Sequence, residues 1–380
     1  MAPRLKRQRS ASPSNSAPRR RSARLETKPA SSSQRLQRDL SIMSTDTESS
    51  ATWPSLAAAA KERLAKYQPE HRVHEHILQP SLDAFITWLP EGGRESVARD
   101  IVNATTDKDL YDVFHNLLTG LAVPMKARSK QQSVTESPHP RRQANVEAVA
   151  ATLKQPETRD PAFRDLCLRR DHNCCVITSQ MDTDYWEKLG CPDDINFGPT
   201  EGTHIIPFSY ASWDKSSKPP NDSSSAWEVL WRCFPRVRQQ GVYVETINNL
   251  SNGITLRDSV HTQFGKFSIA LKPTNCDNIY EIKVFRRYPN LDRQQLPESG
   301  YIELKKADDA QDLDLPSPAL LDCHYRLAEI LNASGMAEVI ERNFRKWEDL
   351  KGSAPNLLRA DGGTDIGHFL RAGLWERVAG

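Results

Sequence analysis

Apolar positions follow three regimes along the chain. Residues 1–52 are rich in Ser, Pro and Arg and hold few apolar side chains, too few to offset the entropy of ordering them, so they are expected to be a disordered basic tail. Over 53–124 the spacing turns helical. An Ala- and Lys-rich run at 56–67 comes first, then Leu82, Phe85, Ile86 and Leu89 recur before Pro90. Val97, Ile101 and Val102 mark another face, and Leu110, Phe114, Leu117 and Leu118 a further one, with Asp107 as its cap. This predicts a small all-α region separate from the remainder of the chain. A polar stretch at 125–160, with Ser137-Pro138 and His139-Pro140, reads as a linker or surface loop.

From 161 to 290 short β-prone runs alternate with turns. Cys175-Val176-Ile177-Thr178 comes after the polar turn Asp171-His172-Asn173, and His204-Ile205-Ile206 is ended by Pro207. Residues 225–234, with Trp227, Leu230 and Trp231 on one side, predict a helix, and 266–271 and 279–285 alternate like paired strands. A C-terminal strand and helices are expected over 291–350. Ser317-Pro318 starts one helix with Leu320, Leu327, Ile330 and Leu331; a second begins after Gly335 with Met336, Ile340, Phe344 and Trp347. Their apolar faces suit core packing better than an oligomerisation arm. Residues 351–380 form a tail. The fold class is α+β, and oligomeric state is not readable.

Charge divides the chain. The first 40 residues hold eleven Lys and Arg against Glu26 and Asp39, a local +9, so the net +2 leaves −7 on the rest. Arg4, Lys6, Arg7 and Arg9, then Arg19, Arg20 and Arg21, resemble a bipartite signal for nuclear import. Such a tail also neutralises phosphates without reading bases. A nuclear, otherwise cytoplasmic, location is expected. No apolar run approaches the roughly 20 residues that span a bilayer, so no membrane partner is expected. The basic start lacks the apolar core of a secretory signal. Seven cysteines without a C-x-x-C pair predict free thiols. A zinc site of Cys167, Cys175 and Cys191 would lack paired spacing, and these residues read better as buried small hydrophobes.

The chemistry lies in Thr203-His204-Ile205-Ile206-Pro207, Asn252-Gly253-Ile254-Thr255-Leu256 and Val260-His261-Thr262-Gln263-Phe264, with His261 nine positions after Asn252. Singly, each has a plain reading: a strand-end His, a turn dipeptide with positive φ, a surface helical His. With Arg169-Arg170-Asp171 and Cys175-Val176-Ile177-Thr178 in the same order, the segment 163–285 resembles the HNH-endonuclease domain found in many fungal proteins. The resemblance covers about a third of the chain and implies a ββα-metal finger that hydrolyses phosphodiester bonds, in DNA above all. It implies His204 as general base, Asn252 as the residue pinning the loop between strand and helix, and His261 as metal ligand.

Those residue types suit the reaction. An imidazole titrating near neutral pH is a natural base, and a divalent cation offsets charge on the phosphate and leaving group. Thr203 and Gly265 stand where relatives often carry further ligands, which leaves His261 as the firm one. Glu201 and Asp258 could stand in. Weak metal binding is therefore expected, with Mg²⁺ ahead of Mn²⁺, Ni²⁺ or Zn²⁺. The same two departures motivate a second reading, a catalytically degenerate module that binds nucleic acid or protein. The insert before Asn252 carries Trp213, Trp227, Trp231, Lys215, Lys218 and Arg232. Trp227 and Trp231 read as helix core rather than stacking platforms. Arg236, Arg238, Arg257 and Lys266 are the expected phosphate contacts.

Overall fold

The computed structural model describes residues 52–126, 133–213 and 221–353, the stretch 347–353 as backbone alone. The basic tail with the residues read as an import signal, Lys215, Lys218, the Trp347 side chain and the tail beyond 353 lie outside the described residues.

Helix α1 (Trp53–Ala65) carries Pro54 in its first turn, where the missing N–H removes no helical bond. Helices α2 (Leu78–Trp88) and α3 (Gly93–Asn103) bury the predicted Leu82, Phe85, Ile86, Val97 and Ile101. Helix α4 (Asp107–Leu117) opens in a capping box. Thr106 Oγ1 accepts from the Asp109 amide at 3.0 Å and Asp109 Oδ2 from the Thr106 amide at 2.9 Å. The cap is thus Thr106, and Asp107 is the first helical residue. A π-helical stretch, Leu118–Ala122, leads into α5 (Val123–Lys126).

The described part of the expected linker from residue 133 on is built into the fold. Pro140 opens α6 (Pro140–Ala150), a position proline tolerates, so the Pro-rich punctuation there marked a helix start. Arg142 donates from α6 to Asp100 at 3.0 Å and to Ser96 Oγ at 2.8 Å, both on α3.

The second half begins with α7 (Phe163–Arg170), β1 (Met181–Asp182), α8 (Thr183–Lys188), β2 (Phe197–Gly198) and β3 (Thr200–His204). It continues through α9 (Asn221–Cys233), α10 (Pro235–Gln239), β4 (Gly253–Arg257), α11 (Asp258–Gly265), β5 (Ile269–Pro273) and β6 (Ile279–Val284). Helix α12 (Asn290–Arg293), β7 (Tyr301–Glu303), α13 (Pro318–Ser334) and α14 (Met336–Ser353) complete it. Strands β1 and β2 pair in parallel, β3 and β4 antiparallel, and β5, β6 and β7 form an antiparallel sheet in that order. The run at 175–178 is no strand. Asn173 and Ser179 take positive φ on either side, and Val176 makes one bond to β4, from its amide to the Thr255 carbonyl at 3.1 Å.

The N-terminal helices, expected to be separate, share one continuous core with the rest, running from Ala60 to Ile340. Helix α13, begun by Pro318 and ended by Gly335 at φ 77°, packs against both α2 and β5. Helix α9 lies on α3, α6 and the π-helical stretch, with Trp227 and Trp231 buried as core. Arg232 is buried too, so it is no surface cation. It donates to Asp100 Oδ2 at 2.9 Å, Glu228 Oε1 at 3.1 Å and Asn116 Oδ1 at 3.0 Å, locking α9 to α3 and α4. Among the described residues no helix is long and apolar enough to cross a membrane.

Candidate functional site

Strands β3 and β4 pair in the register His204–Gly253 to Thr200–Arg257, and α11 comes directly after β4 and packs on both strands. His204, Asn252 and His261, far apart in sequence, therefore sit on one β3–β4–α11 unit. His204 ends β3, Asn252 immediately precedes β4, and His261 is half-buried on α11.

Asn252 is almost completely buried and binds the chain just beyond His204. Its Oδ1 accepts from the Ile206 amide at 2.8 Å, and Nδ2 donates to the carbonyls of Ile206 at 3.0 Å and Ile247 at 2.9 Å. Gly253 is no positive-φ turn residue; its φ is −117°. It is small because α7 lies against it: an added Cβ would stand 2.6 Å from Cys167 Sγ and 2.7 Å from Phe163 Cζ. Gly202 meets the Arg164 backbone in the same way, at 2.8 Å from Cα.

The segment Arg169-Arg170-Asp171 explains how α7 is held there. Arg170, fully buried, donates to both Asp171 oxygens at 2.7 Å, and to the carbonyls of Leu250 at 2.8 Å, Gly253 at 3.0 Å and Asp314 at 3.0 Å. Asp171 Oδ2 also accepts the Thr255 amide at 3.0 Å. One ion pair thus fastens α7 to β4 and to the loop that carries Asn252, with its charges compensated.

His204 is half-buried. Phe163 stacks on its ring at 3.9 Å between centroids and 9° between planes, and Phe208 flanks it at 5.8 Å. Burial pushes its pKa down to about 4 against an opposing hydrogen bond to Asn248 Oδ1, with the Arg159 charge adding to the fall. The imidazole is therefore neutral at physiological pH, the state a general base requires. Arg159 is exposed, and its guanidinium lies over the Phe208 ring at 5.4 Å. Phe163, Asn248 and Arg159 carry no signal in the sequence. They neighbour His204 only through folding, and no spacing rule connects them to it.

The four predicted phosphate contacts divide. Arg236 and Lys266 are exposed. Arg238 lies over the Trp231 ring at 5.0 Å and loses basicity mainly through burial. Arg257 donates to Gln180 and to Gln295 Oε1 and approaches Asp258 at 3.6 Å, so it belongs to an internal network. Asp258 accepts the Ser259 amide at 2.6 Å in the first turn of α11, and Glu201 is exposed on β3.

Among the described residues there is no group of three or more His, Cys, Asp or Glu that could hold a metal. The donors on or beside the two strands include the His261 imidazole, the Glu201 and Asp258 carboxylates and the hydroxyl of Thr203, which is buried without a hydrogen-bond partner among the described residues. That set fits a hard cation that keeps most of its water and borrows oxygen from a phosphate. It does not fit a zinc site of Cys167, Cys175 and Cys191: the first two are buried, the third exposed.

Compared with known proteins, residues 175–272 match the family model described as HNH endonuclease. The matched stretch contains His204, Asn252 and His261, while Arg159, Phe163 and Arg170 lie ahead of it. The domain family points to nuclease activity in general, and HNH nucleases in general use a divalent metal ion. No curated protein and no solved structure matches the chain.

Proposed function

We propose that this protein is a metal-dependent HNH-type endonuclease that hydrolyses phosphodiester bonds in DNA. The observation that carries the reading is the Asn252 clamp, which fixes the backbone directly after a neutral, half-buried His204. His204 takes the proton of the attacking water, Asn252 positions it, and His261 holds a divalent ion, Mg²⁺ by preference. Bound there, such an ion would supply Lewis-acid polarisation of the phosphate and would offset charge on the leaving 3′-oxygen. Arg159 beside the base, with exposed Arg236 and Lys266, offers positive charge to the backbone phosphates. The basic N-terminus adds non-specific affinity that falls steeply with salt, and it suits nuclear import.

Thr203 and Gly265 favour a second reading, a degenerate module that binds nucleic acid or protein without turnover. Supercoiled plasmid separates the two. Purified protein is assayed across Mg²⁺, Mn²⁺ and Ni²⁺ beside His204→Ala and His261→Ala. Metal-dependent nicking lost in both variants supports the enzyme. Plasmid binding without cleavage in any metal supports the module.

A further inference from the structure

Resting on that reading, the geometry points to Asn248 as the positioning residue that sets the tautomer of the base: it holds the His204 proton on Nε2 and leaves Nδ1 as the atom that receives the proton of water. Asn248 lies 44 residues after His204, outside the clamp made by Asn252. Its Nδ2 donates to the Thr158 carbonyl at 2.9 Å, and a carbonyl can only accept. This fixes the amide with its oxygen towards His204, where Oδ1 stands 3.2 Å from Nε2. An amide oxygen also only accepts, so Nε2 must carry the hydrogen. The neutral ring then has its lone pair on Nδ1. That atom has no hydrogen-bond partner among the described residues and is not one of the polar atoms sealed from solvent without one. Phe163, stacked at 3.9 Å, restrains the ring plane, so the amide settles which nitrogen faces outward.

In this arrangement Nδ1 takes a proton from water as the water oxygen bonds to phosphorus, and the bond to the 3′-oxygen breaks with its electron pair. The resulting imidazolium keeps its Nε2–H on Asn248 Oδ1. The 3′-oxygen is protonated from solvent, and Nδ1 releases its proton before the next cycle.

The test combines long-range ¹H–¹⁵N correlation spectra of metal-free full-length protein at pH 8 with plasmid-nicking kinetics. The His204 signals are assigned by their absence from His204→Gln. Wild type is expected to show the Nε2–H tautomer. Asn248→Ala is expected to lose that preference, with kcat about 10- to 100-fold lower, as when an imidazole's outer partner is removed, and KM little changed. Asn248→Asp keeps an acceptor towards Nε2 but cannot donate to Thr158. Recovery of both tautomer and kcat in it supports positioning of the base. Asn248→Asp as impaired as Asn248→Ala would overturn the proposal in favour of a tether on the Thr158 loop. An active wild type with its proton on Nδ1, or an Asn248→Ala that keeps the Nε2–H form, would also overturn it. A wild type that cuts nothing would overturn the nuclease reading, and the base role with it.

Discussion

Asn252 and Arg159 act on His204 in different ways, one through the backbone and the other through charge. Removing the Asn252 amide leaves the Ile206 N–H and the carbonyls of Ile206 and Ile247 short of partners inside the fold. A buried polar group without a partner costs about 1–3 kcal/mol. Asn252→Ala is therefore expected to lower stability by about 2–4 kcal/mol in urea unfolding and to abolish nicking. An unchanged unfolding midpoint would mean the clamp carries no load. Arg159→Ala removes a nearby positive charge. The His204 pKa should then rise from about 4, while KM for DNA rises about 5-fold, equivalent to about 1 kcal/mol for one exposed contact. A titration by NMR and a KM measurement at low salt check both directions, and a kcat loss at constant KM would contradict the phosphate role. The His–Asn–His order and its spacing were legible because the β3–β4–α11 unit is built around them. Asn248 and Arg159 were not, because each approaches His204 across more than forty residues of chain.

At the scale of elements, the site depends on how closely α7 lies on the two strands. Glycine at 202 and 253 permits that approach, and the Arg170–Asp171 pair fixes it. A methyl at 253 would meet Cys167 Sγ at 2.6 Å and Phe163 Cζ at 2.7 Å, so these side chains or α7 itself must give way, and Phe163 is the ring stacked on His204. Overpacking of this kind costs about 1–3 kcal/mol. Gly253→Ala is expected to lose that much stability, and Cys167→Ala in the same chain should restore part of it, since the two sites share one contact. Strictly additive losses in the double variant would show that the helix does not press on the strand there. Periodicity in the sequence found the strands at 269–273 and 279–284, because each has a run long enough to alternate. It overread 175–178, where the apolar residues serve a turn docked on β4, and it gave no sign that Gly253 faces a helix. Helical spacing identifies a buried face without naming what buries it.

For the same reason the whole molecule was the least legible. The faces of α1 to α4 were evident, but their burial against α9 and α13 in one core was not. His324 shows how tightly the parts are joined. On α13, it stacks between Phe264 at 3.6 Å and Phe267 at 4.4 Å, and its Nε2 donates to the Phe264 carbonyl at 3.0 Å, so α13 grips the C-terminal end of α11. Burial pushes its pKa down to about 3. It does the same to His115, to about 3, and to His74 and His204, to about 4. Unfolded, each would titrate near about 6.5. Between those values the unfolded chain binds more protons than the folded one, so stability rises with pH across that window. It is complete above about pH 6.5 and is lost as pH falls towards about 4 for His74 and His204 and about 3 for His115 and His324. Since His74 and His115 lie among the N-terminal helices and His204 and His324 at or beside the site, one shared core predicts a single transition sensed by all four. Urea unfolding from pH 8 to 4.5, monitored by tryptophan fluorescence and far-UV circular dichroism, should show one coincident step whose midpoint falls steeply below about pH 6.5, with up to four protons taken up. Two separated steps would restore an independent N-terminal region, and a midpoint flat to pH 5 would mean that these imidazoles titrate freely in the folded protein.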